Sequence, residues 1–154
     1  MTENSSDDIA GLILHHRQRN GRSVHGNDDG YHFLGGKGEE KRLDLQHHIW
    51  YLTISGNLGL APPLRGASTI SRVLDLGTGT GIWAIDFAEE HSKTEVTAID
   101  IKEPKPPFCP PNVTFRTMSY DDKWDFLHQF DYIHSRMANS SVKDWKRYID
   151  NAYE

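Results

Sequence analysis

Cysteine is nearly absent from this 154-residue sequence: Cys109 stands alone, so no internal disulfide can form. A fold without covalent staples is expected, as in a reducing compartment. No apolar run approaches the ~18 residues of a membrane-spanning helix. The first ten residues are acidic and polar and lack the apolar core of a secretion signal. Positive charge is in deficit, with 17 Lys and Arg against 22 Asp and Glu. The net charge of −5 argues against direct nucleic-acid binding as the main task. No repeat is visible, and no carboxylate–histidine cluster has metal-binding spacing. Cys109 sits in "PPFCPPN" with no base beside it, so no catalytic nucleophile is assigned.

What is present divides in three. Residues 1–30 are polar and rich in Gly, Asn and Asp, and are expected to be a disordered leader. Residues 31–66 hold an N-terminal helix, "EEKRLDLQHHIWYLTIS", and a linker. Leu43, Gln46, His47, Trp50 and Ile54 fall along one face of that helix. His47 and His48 point about 100° apart and do not grip one ion together. Asp44 with Arg42 and His48 reads as a local capping and i,i+4 network. Residues 67–154 alternate between the two periodicities. "RVLDLG", "EVTAIDI", "VTFRTM" and "FDYIHSR" are strands, and "GIWAIDFAEEH" and "SVKDWKRYIDNAYE" are helices. Strands joined through helices imply a parallel, doubly wound sheet, so the fold class is α/β.

The turn "DLGTGTG" follows the first of these strands. Its glycines, Gly77, Gly79 and Gly81, are spaced G-x-G-x-G, and Ile82 stands where a dinucleotide fingerprint needs its third glycine. Asp75 lies two residues before the first glycine. A carboxylate there repels a pyrophosphate but accepts an ammonium, which favours a ligand with a cationic amino-acid end. S-adenosylmethionine has that end together with a ribose and an adenine. The second strand ends in Asp100, placed to accept hydrogen bonds from vicinal ribose hydroxyls, and Ile101 follows to cover an adenine face. The bland alternatives are a solvated strand-end acid for Asp75 and a turn or cap acid for Asp100. His134, Ser135 and Arg136 end the fourth strand, where such folds bind ligands or simply bond to the next helix. Trp83, Trp124 and Trp145 read as core or staple aromatics.

"VLDLGTGTGIWAIDFAEEH", "RLDLQHH", "LAP", "FDYIHSR" and "SVKDW" together resemble the fungal LaeA-like methyltransferases, from about Arg42 to Glu154. The glycine motif is general to class I S-adenosylmethionine-dependent enzymes; "RLDLQHH" ahead of it is more specific. The resemblance implies a Rossmann-like sheet and an enzyme, tied to secondary metabolism or its regulation, that methylates a small-molecule or protein acceptor. It assigns Asp75, Gly77, Thr78, Gly79 and Gly81 to the methionine end of S-adenosylmethionine and Asp100 and Ile101 to the nucleoside. It also implies velvet-type regulatory partners and a place in the nucleus or cytoplasm. Transfer to a good nucleophile relies on positioning, so no catalytic acid or base is expected. Where the family shows an acidic pair near the adenine, this sequence has Met118 and Ser119, with Asp121 and Asp122 after them. Ser119 is taken as the cofactor-side residue there, and Tyr31 as a residue that closes over the cofactor. About four of the family's seven strands are expected, an incomplete sheet. The alternative expectation is a truncated, non-catalytic interaction module of a regulatory complex.

Overall fold

The computed structural model describes residues 37–61, 64 and 69–153, and the backbone of residues 18–19 and 22–23. Tyr31, and apart from those four residues the expected leader 1–30, lie outside the described residues. Strands β1 (Gln18–Arg19) and β2 (Arg22–Ser23) pair antiparallel. The chain divides into two units between Arg42 and Leu43, within helix α1 (Lys37–Thr53). In the first unit Arg42 grips Glu39 one turn back, with contacts of 2.7 and 2.9 Å. The second unit contains the sheet.

Its four parallel strands are β3 (Arg72–Leu76), β4 (Glu95–Asp100), β5 (Val113–Thr117) and β6 (Tyr132–Ser135), in the order β5-β4-β3-β6. Parallel neighbours need crossovers, and helix α2 (Ile82–Glu90) supplies the one between β3 and β4. The central strand β3 is covered on both faces, as a parallel interior strand must be. Val73 meets Trp83, Ala84, Phe87 and Ala88 of α2 in one apolar cluster that also takes Val96, Ala98 and Val113. Leu74 and Leu76 point to the opposite face, where Ile99, Met118, Tyr120, Val142 and Tyr148 form a second cluster. Tyr148 belongs to helix α3 (Trp145–Tyr153), so helices cover both faces, as the doubly wound reading requires. α3 is capped by Asp144, whose Oδ1 accepts the backbone N–H of Arg147 at 3.0 Å.

The strand ends opposite the glycine turn are also tied. The Asp131 carboxylate accepts the N–H groups of Ser71 and Arg72 at 2.7 and 2.9 Å, which fixes β6 against the start of β3. Thr94 Oγ1 donates to the carbonyl of Ile70, and Asn112 donates to the carbonyls of Ala88, His91 and Thr94.

One sequence expectation needs correction. Trp50 is not on the inward face of α1: that face holds Leu43, Asp44, Gln46, His47 and Tyr51, continued by Ile54 just past the helix end, and Trp50 is exposed. One turn on from the buried His47 is Tyr51, which packs against the α2 cluster and takes the place expected of Trp50. Asp44 also reaches beyond its own helix: its Oδ1 accepts the Thr80 hydroxyl at 2.7 Å. Trp145 is exposed but packs edge-on against Tyr148, ring centroids 5.4 Å apart, so it acts as a staple aromatic while Tyr148 is the one that α3 turns toward the sheet.

Candidate functional site

The C-terminal ends of β3 and β4 are joined through the glycine turn. Gly77 and Thr78 both donate their N–H to the Ile99 carbonyl, at 2.9 and 3.0 Å. The Gly79 N–H then donates to Asp100 Oδ2 at 2.8 Å, and Gly81 closes the turn onto the Thr78 carbonyl at 3.0 Å. Gly79 and Gly81 have φ of +61° and +83°, a region that side chains rarely tolerate. A Cβ at Gly81 would lie 2.8 Å from the Phe115 ring, and one at Gly79 would lie 3.2 Å from Leu43 Cδ1. Helix α2 begins directly after the turn, with Gly81 as a cap that lacks a side chain.

Asp75 is buried rather than solvated. Its Oδ1 bonds to His134 Nδ1 at 2.7 Å, and its Oδ2 is buried with no hydrogen-bond partner. The Thr78 hydroxyl is likewise buried and unpartnered. Orphaned polar atoms of this kind are costly unless a ligand or water completes them. An acceptor and a hydroxyl left open on either side of Gly77 fit a ligand that carries an ammonium group.

Asp100 has an oxygen to offer. Its Oδ2 is taken by Gly79, while Oδ1 has a long 3.3 Å contact from the Lys102 N–H. Burial pushes its carboxyl above the ordinary range, although the N–H groups of Gly79, Lys102 and Ile101 pull it down. Ile101, next in the chain, is exposed at this edge. Ser119 sits just past the end of β5, at the same edge; its hydroxyl accepts the Asp121 N–H at 3.2 Å and its N–H donates to Asp122 at 3.0 Å. Met118 is a core residue of the second cluster, which accounts for an apolar side chain at that position.

Side chains from other elements frame the turn, and of these Tyr120 and Phe115 carried no sign of a role in the sequence. Tyr120 lies 3.2 Å from where a Gly77 Cβ would be, and Leu43 and Phe115 approach the other two glycines. His47, buried on α1, bonds through Nε2 to Asp86 of α2 at 2.9 Å, and its Nδ1 meets Arg136 at 3.1 Å. "FDYIHSR" supplies Arg136 to this set, and "RLDLQHH" supplies the part that lies ahead of the sheet. Its leucine, aspartate and first histidine all reach α2 or the glycine turn. Among the described residues no cluster of His, Cys, Asp and Glu could hold a metal ion. No described helix is long and apolar enough to cross a membrane.

A parallel sheet with helices on both faces and a glycine turn tied to an acid at the next strand tip defines a Rossmann-like class of protein. The methyltransferase-domain family matches residues 14–154, and the chain belongs to it. Among characterised fungal relatives, the chain is 34% identical over 155 residues to the methyltransferase pytC of Aspergillus terreus, covering 99% of this chain and 47% of that protein. It is 36% identical over 137 residues to the secondary metabolism regulator LAE1 of Cochliobolus heterostrophus, covering 87% and 45%. With the protein-methionine methyltransferase laeA of Emericella nidulans it shares 35% identity over 133 residues, covering 83% and 34%. The chain thus spans about half the length, or less, of these relatives. Membership in the family implies a methyl donor.

Proposed function

We propose that this chain is the donor-binding part of an S-adenosylmethionine-dependent methyltransferase of the LaeA type, tied to fungal secondary metabolism or its regulation. The observation that carries the reading is the pairing of two half-open acids across one glycine turn. Asp75 Oδ2 is open to an ammonium, and Asp100 Oδ1 is open to ribose hydroxyls. In this reading Gly77, Thr78, Gly79 and Gly81 bring backbone up to the methionine end, Ile101 covers the adenine, and Ser119 borders it. The bound sulfonium supplies a methyl group to a nucleophilic acceptor. The residues of the chain bind, orient and keep water away, which suffices when the acceptor is already a good nucleophile. The acceptor is a small molecule or a protein; one relative's name specifies protein methionine, and pytC is named as a methyltransferase without that qualifier. We assign residues 67–154 to the donor-binding domain, with velvet-type proteins as partners and the nucleus or cytoplasm as the compartment.

Calorimetric titration with S-adenosylhomocysteine tests the reading. Saturable 1:1 binding, lost in Gly79→Val, is expected. Absence of heat together with an unchanged melting temperature, in folded protein, ends it.

A further inference from the structure

Arg136 follows β6 directly. The register of β6 on β3 pairs Asp75 with His134 and Leu76 with Ser135, so Arg136 comes level with Gly77, the first residue of the turn. Its guanidinium is half-buried, and burial lowers its pKa while the nearby charge of Asp75 raises it. Yet no carboxylate lies within 4 Å of it among the described residues. Its hydrogen bond is to His47 Nδ1, at 3.1 Å. A guanidinium cannot accept a hydrogen bond, so Nδ1 must be the acceptor. The His47 proton then sits on Nε2 and donates to Asp86 Oδ2 at 2.9 Å. Asp86 fixes the imidazole, the imidazole fixes the guanidinium, and the remaining N–H groups of the fork stay open.

A partly desolvated cation is costly without an anion. Here the cost stands beside a buried acid, Asp75, that has one oxygen unpartnered and makes no contact ion pair with Arg136. An open acceptor and an open guanidinium side by side are the complement of an α-amino acid, with ammonium on the acid and carboxylate on the fork.

We infer that Arg136 binds the α-carboxylate of the methyl donor's amino-acid end and that His47, from the helix ahead of the sheet, is the positioning residue that aims it. The inference rests on the donor reading above. It makes α1 part of the donor site, which is consistent with Asp44 on Thr80 and Leu43 beside Gly79.

The test compares two ligands on the 154-residue chain: S-adenosylhomocysteine and its decarboxylated counterpart, 5′-deoxy-5′-(3-aminopropylthio)adenosine. The wild type should prefer the carboxylate-bearing ligand by about tenfold or more, as for a charge-assisted hydrogen bond. Arg136→Gln should erase that preference while the decarboxylated ligand keeps its affinity within about twofold; Arg136→Lys should keep part of the preference. His47→Phe should also erase it, and His47→Gln, whose amide offers both an acceptor and a donor, should restore part. A merely structural role for His47 would weaken both ligands alike. Equal binding of the two ligands by the wild type overturns the inference without any variant, as does a preference that survives Arg136→Gln. If neither ligand binds, the donor reading itself falls and takes this inference with it.

Discussion

The imidazole of His134 lies parallel to the indole of Trp83, ring centroids 3.7 Å apart and planes 3° from coplanar, while its Nδ1 holds Asp75 at 2.7 Å. One side chain thus joins the buried acid of β3 to the packed face of α2. His134→Phe preserves the stack and removes the acid's partner. Losing this hydrogen bond to a buried carboxylate should cost about 1.5–3 kcal/mol. Combining it with Asp75→Leu should recover part of that loss, because no buried carboxylate then remains unpaired. Urea unfolding of the two singles and the double measures the coupling.

Trp83 itself is nearly inaccessible, stacks on Phe87 as well as His134, and donates its indole N–H to the Leu58 carbonyl at 2.8 Å. Trp83→Ala should cost roughly 3–5 kcal/mol from the cavity alone. Trp83→Phe should cost less, about 1–3 kcal/mol, chiefly for the carbonyl left without a donor. Both should appear as lower denaturant midpoints, with tryptophan fluorescence of the remaining indoles as the probe.

The glycines of the turn should separate stability from binding. Gly81→Ala drives a methyl into the Phe115 ring at an unfavourable φ, so lower thermal stability is expected before any ligand is added. At Gly79 the neighbour is the end of a flexible leucine, which can yield. Gly79→Val still places a β-branched side chain at a φ of +61° and so should lose some stability. Without the ring clash of Gly81, it should lose ligand binding more completely than stability. Calorimetry and melting curves on the same preparations decide between these outcomes.

Asp100→Ala should weaken S-adenosylhomocysteine by about 1.5–3 kcal/mol, for lost charged hydrogen bonds. That corresponds to a roughly 10- to 150-fold rise in Kd. Asp100→Asn should lose less, since one acceptor oxygen remains. Equal affinity of wild type and Asp100→Ala, in protein whose Gly79→Val variant fails to bind, would remove Asp100 from the site.

Two aspartates should tilt the pH profile in opposite directions. The Asp100 carboxyl is raised by burial, so the folded state holds its proton more tightly than the unfolded chain. Its contribution is most favourable below the ordinary carboxylate pKa of about 4 and declines as pH rises from there through the raised value. Asp131 is lowered by the N–H groups of Arg72 and Ser71. Its stabilisation is complete above about pH 4 and is lost as pH falls through the lowered value. Relative to wild type, Asp100→Asn should gain stability as pH rises above 4, whereas Asp131→Asn should lose stability there and converge on wild type in acid. Melting temperatures between pH 2.5 and 7 read both slopes; because Asp131 is exposed, added salt should shrink its effect.

Local pattern made much of this molecule legible. The four parallel strands and the helix after the glycine turn fall where apolar runs and glycines placed them, because periodicity records burial directly. Burial on α1 was harder to read: Leu45, Ile49, Trp50 and Leu52 are exposed, while polar Asp44 and His47 turn inward, so hydrophobicity pointed the wrong way for Trp50. Asp44 and His47 are inward because their partners, Thr80, Asp86 and Arg136, arrive from distant parts of the chain. No periodicity along one helix encodes such long-range hydrogen bonds. Asp75 shows the same limit. Its place before the glycines was readable, but its enclosure by His134 depended on the pairing of β6 with β3.

The order β5-β4-β3-β6 has a consequence for where a ligand can enter. From β3 the chain leaves toward β4 and β5 on one side, then returns to place β6 on the other side of β3. The connections therefore diverge at the C-terminal end of β3, and a crevice opens there as a matter of connectivity. Asp75, Gly77 and Arg136 stand at that parting. The gap is a property of how the chain is threaded, so single substitutions can change what the crevice accepts while leaving the crevice itself in place.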